Sequence, residues 1–258
     1  MILTRLAKSF RDHDWFTGFV ELLLLVIGIF FGFQLDRWNE GRLDQQQANE
    51  YRQQLIVDLE VEARDVDEKA AYHRQVRDFS MMALTAWGDE PAVDTEELIV
   101  AFYQASNVLP LTSARGAFDA LSNNGLIDLV GGPGLTSRLA AFYGQEFNSV
   151  FAEEKAYRME LRGVMPIAVQ EKIRADCISI SVGAMVVEEL SSDCDLNLGR
   201  ADAEAILADI LAHPRMRFYL RQAISRDSIS IYLLESKREF IESLLTELRS
   251  LDQSGKQA

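Results

Sequence analysis

Apolar and polar positions follow two regimes along this chain. From Phe16 to Leu35, "FTGFVELLLLVIGIFFGFQL", apolar side chains cover every side of a 3.6-residue spiral, and Glu21 is the only ionisable residue. From Asp36 onward the apolar positions return about once per helical turn. Tyr51, Leu55, Leu59, Val66, His73, Val76 and Phe79 mark one long amphipathic helix, reaching the Trp87-Gly88 region. It either continues the apolar run or is interrupted at Gly41, where a helix former is expected. Asp94-Thr-Glu-Glu97 has the spacing of a capped helix start, and that helix runs to about Ser106. Pro110 with Thr112 and Ser113 predicts another start, and Asn124-Gly125 its end. "GGPGL" reads as a turn. Leu135, Leu139, Phe142, Val150, Tyr157, Leu161 and Val164 then predict a long helix that Pro166 kinks or breaks. Residues 175–200 are the least regular part. "DAEAILADILAH" is a short helix stopped by Pro214. A last helix, from about Arg215 to Leu251, carries Leu220, Ile224, Ile231, Leu234, Ile241, Leu245 and Leu248 as its stripe.

These elements predict an all-α protein: an N-terminal transmembrane helix followed by a bundle of long amphipathic, coiled-coil-like helices. The expected divisions are a short tail over 1–15, the membrane helix over 16–35, a helical extramembrane domain over 36–251 and a disordered tail over 252–258. Twenty residues in a helix reach about 30 Å, the thickness of a bilayer's hydrocarbon core. Trp15 and Trp38 flank the run, where indole rings favour the water–lipid boundary, and Asn39 follows as a third interface anchor. A buried core helix and a cleaved signal peptide are the alternatives. The run ends in Phe-Gly-Phe-Gln-Leu-Asp without a pair of small residues for cleavage, which reads as an uncleaved signal anchor. Arg5, Lys8 and Arg11 precede the run and Arg37, Arg42 and Arg52 follow it. The packed N-terminal bases suit a cytoplasmic tail. Cys177 and Cys194, 17 residues apart, can close a disulfide outside the cytoplasm. Together these favour an N-terminus inside and a bundle outside.

Within the run, Glu21 is costly in lipid, at about 2.5–3.5 kcal/mol for a mid-bilayer carboxylate. Gly28 and Gly32 form a Gly-x-x-x-Gly pair that lets two helices approach, so Glu21, Gly28, Gly32 and Gln34 are the candidates for association in the bilayer.

Charge and candidate chemistry change this picture little. The chain has 258 residues, 48% apolar and 26% charged, with a net charge of −14. That acidity disfavours nucleic acid as a partner. His13, His73 and His213 lack the Glu-x-x-His spacing of a di-iron bundle, and no His-Glu-x-x-His or Cys-x-x-Cys occurs. Asp209 and His213 are one helical turn apart and could share a ligand, although a helix-end histidine is the simpler reading. Glu60, Glu62, Asp65, Asp67 and Glu68 spread around a helix and read as a solvated face. "GGPGLTSR" lacks the Gly-Lys-Ser/Thr of a phosphate loop. An enzyme would place carboxylates such as Asp119 and Asp128, near the Asn123-Asn124-Gly125 turn, in a catalytic pocket. No catalytic, metal or cofactor set is expected.

The stretch "VELLLLVIGIFFGFQLDRWNEGR" resembles the N-terminal signature of a bacterial family of single-pass membrane proteins with a domain of unknown function. The matching residues are Glu21, Ile27-Gly28-Ile29, Gln34 and Trp38-Asn39-Glu40. "YRQQLIVDLEVE" and "SARGAFDALSNNGLIDLVGGPGLTSRLAAFY" resemble the blocks that follow in that family. The resemblance covers about a third of the chain. It implies a bacterial inner-membrane anchor with a helical extramembrane domain, and it implies no activity. The expected function is therefore a membrane-anchored interaction or sensor-like module. Its partners would be the lipid bilayer, an unidentified protein and a second copy held through the membrane helix. An accessory subunit of a membrane complex is the alternative, and an enzyme on an unfamiliar helical scaffold is the least favoured.

Overall fold

The computed structural model describes residues 15–88, 91, 93–109, 115–144, 156–182 and 186–255. Its frame is two long helices. The first, α1, runs without interruption from Trp15–Leu84, 70 residues. Gly41 does not break it, because a lone glycine costs about 1 kcal/mol against alanine and its neighbours are good helix formers. A 3₁₀ turn, Thr85–Trp87, ends the rod. The short helices are α2 (Thr95–Gln104), α3 (Gly116–Asn123), α4 (Ile127–Gly144), α5 (Ala156–Val164), α6 (Ile167–Asp176) and α7 (Arg200–Ala212). The second long helix, α8 (Met216–Gly255), returns along α1. Gln53 bonds Asp252, Glu60 bonds Arg249, Asp67 bonds Arg238 and His73 meets Asp227. Rising numbers on one helix meet falling numbers on the other, so the pair is antiparallel.

Two large apolar cores sit along that pair among the described residues, with a smaller cluster of Tyr72, Val76 and Leu190 beside them. The core nearer the N-terminal end of α1 joins Leu55, Leu59 and Val66 to Leu121 of α3, Leu139 of α4 and Leu245 of α8. The far core gathers around α2, whose residues Leu98 to Gln104 are all buried. A helix apolar on every side must be enclosed. Tyr157 and Leu161 of α5, Ile173 of α6, Ile210 of α7 and Leu220 of α8 enclose it. The Tyr157 hydroxyl donates to the Phe102 carbonyl at 2.9 Å, and complete burial pushes its pKa well up.

Several local expectations agree with the structure. Asp94 caps α2 by accepting from the Glu97 N–H at 2.9 Å. Gly125 takes φ +67° after α3, a left-handed conformation suited to glycine. Pro166 separates α5 from α6. "GGPGL" is a turn as expected: Gly131 and Gly132, the latter at φ +80°, leave helical geometry between two segments of α4, and Pro133 opens the second. Others differ. The helix expected over 135–164 is described as the end of α4 and as α5; Val150 and its neighbours lie outside the described residues, as does the expected start at Pro110, Thr112 and Ser113. The tail expected to begin at 252 is helical to Gly255, because Asp252 still meets Gln53 across the helix pair. Residues 175–200, expected to be irregular, contain an antiparallel hairpin. Its strands are β1 (Ile178–Val182) and β2 (Val186–Leu190), with Ile178 opposite Leu190.

Candidate functional site

Two parts of α1 face very different surroundings. From Glu21 to Gln47 every residue is exposed, and Ala48 is the first buried one. The apolar segment contains an 18-residue window of mean hydropathy 2.2, none of it buried in the chain. Leu24 and Phe31 are each 62% exposed. That removes the core-helix alternative, since a core helix is enclosed by its own fold. Among the described residues this is the one helix long and apolar enough to cross a membrane. Beyond Leu35 a further stretch of α1, about 20 Å long at 1.5 Å per residue, extends before the bundle begins. Its first contact is long: Gln45 Nε2 donates to the Leu129 carbonyl at 3.4 Å.

The helical repeat sorts the candidate residues. Glu21, Gly28, Gly32 and Asn39 are separated by seven, four and seven residues, which places them on one face of α1. A side-chain carbon added at Gly28 or Gly32 would meet nothing within 4 Å, so this face is open. Gln34 points to the other side and does not join it. Trp15 opens α1, and Trp38 is 69% exposed just past the apolar segment.

Between α1 and α8 runs a line of charge. The acidic cluster is a solvated face only in part: Asp67 and Glu68 are exposed and Glu60 is half exposed, while Asp65 and Glu62 turn inward. Glu62 is buried and accepts from Lys237 of α8, itself buried. Asp67 accepts from Arg238, Glu60 from Arg249 and Asp65 from Lys69; only Glu68 is left as an exposed member with no pairing of this kind described. Farther along, His73 Nδ1 lies 3.1 Å from Asp227 Oδ1, both groups enclosed. The spacing held the signal. Glu62, Lys69 and His73 occupy turns of the α1 stripe, and Asp227 and Lys237 fill gaps in the α8 stripe. A charge at a stripe position announces a buried partner, because an unpaired buried charge costs several kcal/mol.

Cys177 and Cys194 are bonded to each other, with Cα atoms 5.4 Å apart. The bridge closes the loop that holds the hairpin. Gln104, buried at the end of α2, donates to the carbonyls of Cys177 and Ser191 at 2.9 and 3.2 Å, tying both ends of that loop to the far core.

The remaining chemical candidates are dispersed. His213 pairs with Glu160 of α5 at 3.2 Å rather than with Asp209. Asp119 is held by Arg115 at the surface, and Asp128 is exposed. The larger described cavity, about 200 Å³, lies elsewhere, between α1 and α8 and lined by Val66, Asp67, Arg74, Leu234, Glu235 and Arg238. No group of three metal-ligating side chains occurs among the described residues, and His13 lies outside them. Comparison with family models, with curated proteins and with solved structures found no match.

Proposed function

We propose that this chain is a membrane-anchored interaction or sensor-like module, of the single-pass bacterial family that its N-terminal segment resembles. In this reading residues 16–35 cross the inner membrane, the N-terminus is cytoplasmic and the bundle stands on the outer side. The observation that carries it is the exposure of the apolar segment from Glu21 to Leu35 on a helix that runs unbroken into the bundle. Water would penalise that surface heavily, at about 25 cal/mol for each Å² of apolar area, and a bilayer removes the penalty. The bonded cysteines favour an oxidising compartment for the bundle.

The continuity of α1 supports the sensor-like part. A helix without a hinge carries a rotation or tilt at the membrane to its far end, and the same rod forms one wall of both cores. The face bearing Glu21, Gly28 and Gly32 is the surface through which a second copy, or a partner helix, would bias that rod. Membrane retention and association test the reading together. Full-length protein is expected to stay in the membrane pellet after alkaline wash and to cross-link as a dimer, and Gly32→Leu is expected to abolish the cross-link without releasing the protein. Recovery in the soluble fraction defeats the anchor; an unchanged cross-link in Gly32→Leu defeats the association face.

A further inference from the structure

Two arginines in the far core, Arg162 and Arg174, have no acidic partner among the described residues. Arg162, in the last turn of α5, lies with its guanidinium carbon 3.8 Å from the centre of the Tyr103 ring. Its three bonds all go to neutral groups: Nε to Ser106 Oγ at 3.0 Å, Nη1 to the Tyr103 hydroxyl at 2.8 Å and Nη2 to Asn107 Oδ1 at 2.9 Å. Arg174, in the last turn of α6, reaches the same Tyr103 hydroxyl at 3.4 Å, and Arg158 donates to the Ser106 carbonyl at 3.2 Å. Two guanidinium groups thus converge on one phenol oxygen. Glu160, the acid between Arg158 and Arg162 on α5, is engaged by His213 instead. Among the described residues no carboxylate pairs with Arg162 or Arg174. Burial and the charges of Arg158 and Arg174 lower the Arg162 pKa, as expected of a cation lacking a counter-charge.

We propose that this cluster is a binding site for a small oxyanion, a carboxylate or a phosphate, held between Arg162 and Arg174 against Tyr103. A guanidinium has five N–H donors; Arg162 uses three, and Arg174 makes one long bond, so both have donors left for an anion. The Tyr103 hydroxyl accepts from both arginines and keeps its own proton to donate. Asn107 fixes the plane of the Arg162 fork. The competing role is purely structural: helix C-termini favour cations, and Arg158 and Arg162 also tie the end of α2 to α5. That role accounts for Arg158 and Arg162, and for the place of Arg174 in the last turn of α6, but not for two guanidinium groups meeting at one phenol oxygen.

This inference rests on the reading of the bundle as a ligand-recognising module, and its test is independent of the anchor. Full-length protein in detergent is titrated with inorganic phosphate and, separately, with succinate, while sodium chloride holds ionic strength constant; thermal unfolding and calorimetry report binding. Retention of the protein in the membrane fraction is scored on the same preparations. The expected result is saturable binding of at least one probe, weakened about tenfold or more in Arg174→Gln, the size of one charge-assisted hydrogen bond, and abolished in Arg162→Gln. Preference for phosphate or for succinate identifies which oxyanion the site takes. Arg174 is exposed, so its variant keeps the fold should Arg162→Gln fail to. A response to both probes no greater than that to sodium chloride overturns the proposal, and so does binding unchanged in Arg174→Gln. The arginines would then serve only to tie α2 to its neighbours.

Discussion

The two halves of α1 have the same backbone and opposite relations to the rest of the chain. Residues 21–47 are exposed throughout, while residues 48–83 supply Leu55, Leu59 and Val66 to one core and Ala83 to the other. From residue 21 to 35 the apolar side chains cover the whole cylinder, from 36 to 47 the helix is mostly polar, and beyond that the apolar side chains keep to a stripe. Side-chain pattern, not helix formation, therefore separates a segment suited to lipid from one suited to a protein core. The comparison also separates two kinds of charge. Among the described residues Glu21 has no charged partner on its exposed helix, whereas Glu62 is enclosed beside Lys237.

Substitutions should break the two halves independently. Placing arginine at both Leu24 and Phe30 adds about 2.5–3.5 kcal/mol per charge to membrane insertion. We expect this double variant to leave the membrane fraction while the bundle's thermal unfolding is unchanged. Glu62→Ala leaves Lys237 buried without that carboxylate and should cost about 3–5 kcal/mol of stability, measured by denaturant unfolding, with membrane retention intact. Replacing Glu62 and Lys237 together by methionine should recover most of that loss, because an apolar pair of similar volume needs no counter-charge. Leu59→Ala opens a cavity in the core nearer the apolar segment and should cost about 2–5 kcal/mol. Replacing Cys177 and Cys194 by alanine should cost about 3 kcal/mol for a loop of this size, with the loss of hydrogen-exchange protection confined to the far core and the hairpin.

The sequence made the span-like segment, the Asp94 cap, the Asn124-Gly125 stop and the Pro166 break legible, because each depends on a few neighbouring residues. The rest depends on distant ones. Gly41 resembles a breaker only when read alone; good helix formers on both sides outweigh its small cost. The alternation of Ile178, Ile180 and Val182 marks a strand, and it was obscured because five residues of alternation are short against the helical pattern around them. Glu62 read as solvated because its partner lies 175 residues away on α8. The arginine site was invisible for the same reason: Tyr103, Arg162 and Arg174 belong to three helices, and no spacing in the chain announces their meeting.

The most direct test of the account is the side of the membrane on which the bundle stands. In intact cells, a membrane-impermeant thiol reagent and a reporter fused after Ala258 read this together. The account predicts a reporter active only outside the cytoplasm, with Cys177 and Cys194 unreactive until a reductant is added. A cytoplasmic reporter with both thiols free would contradict it, placing the bundle inside and removing the disulfide that closes its far end.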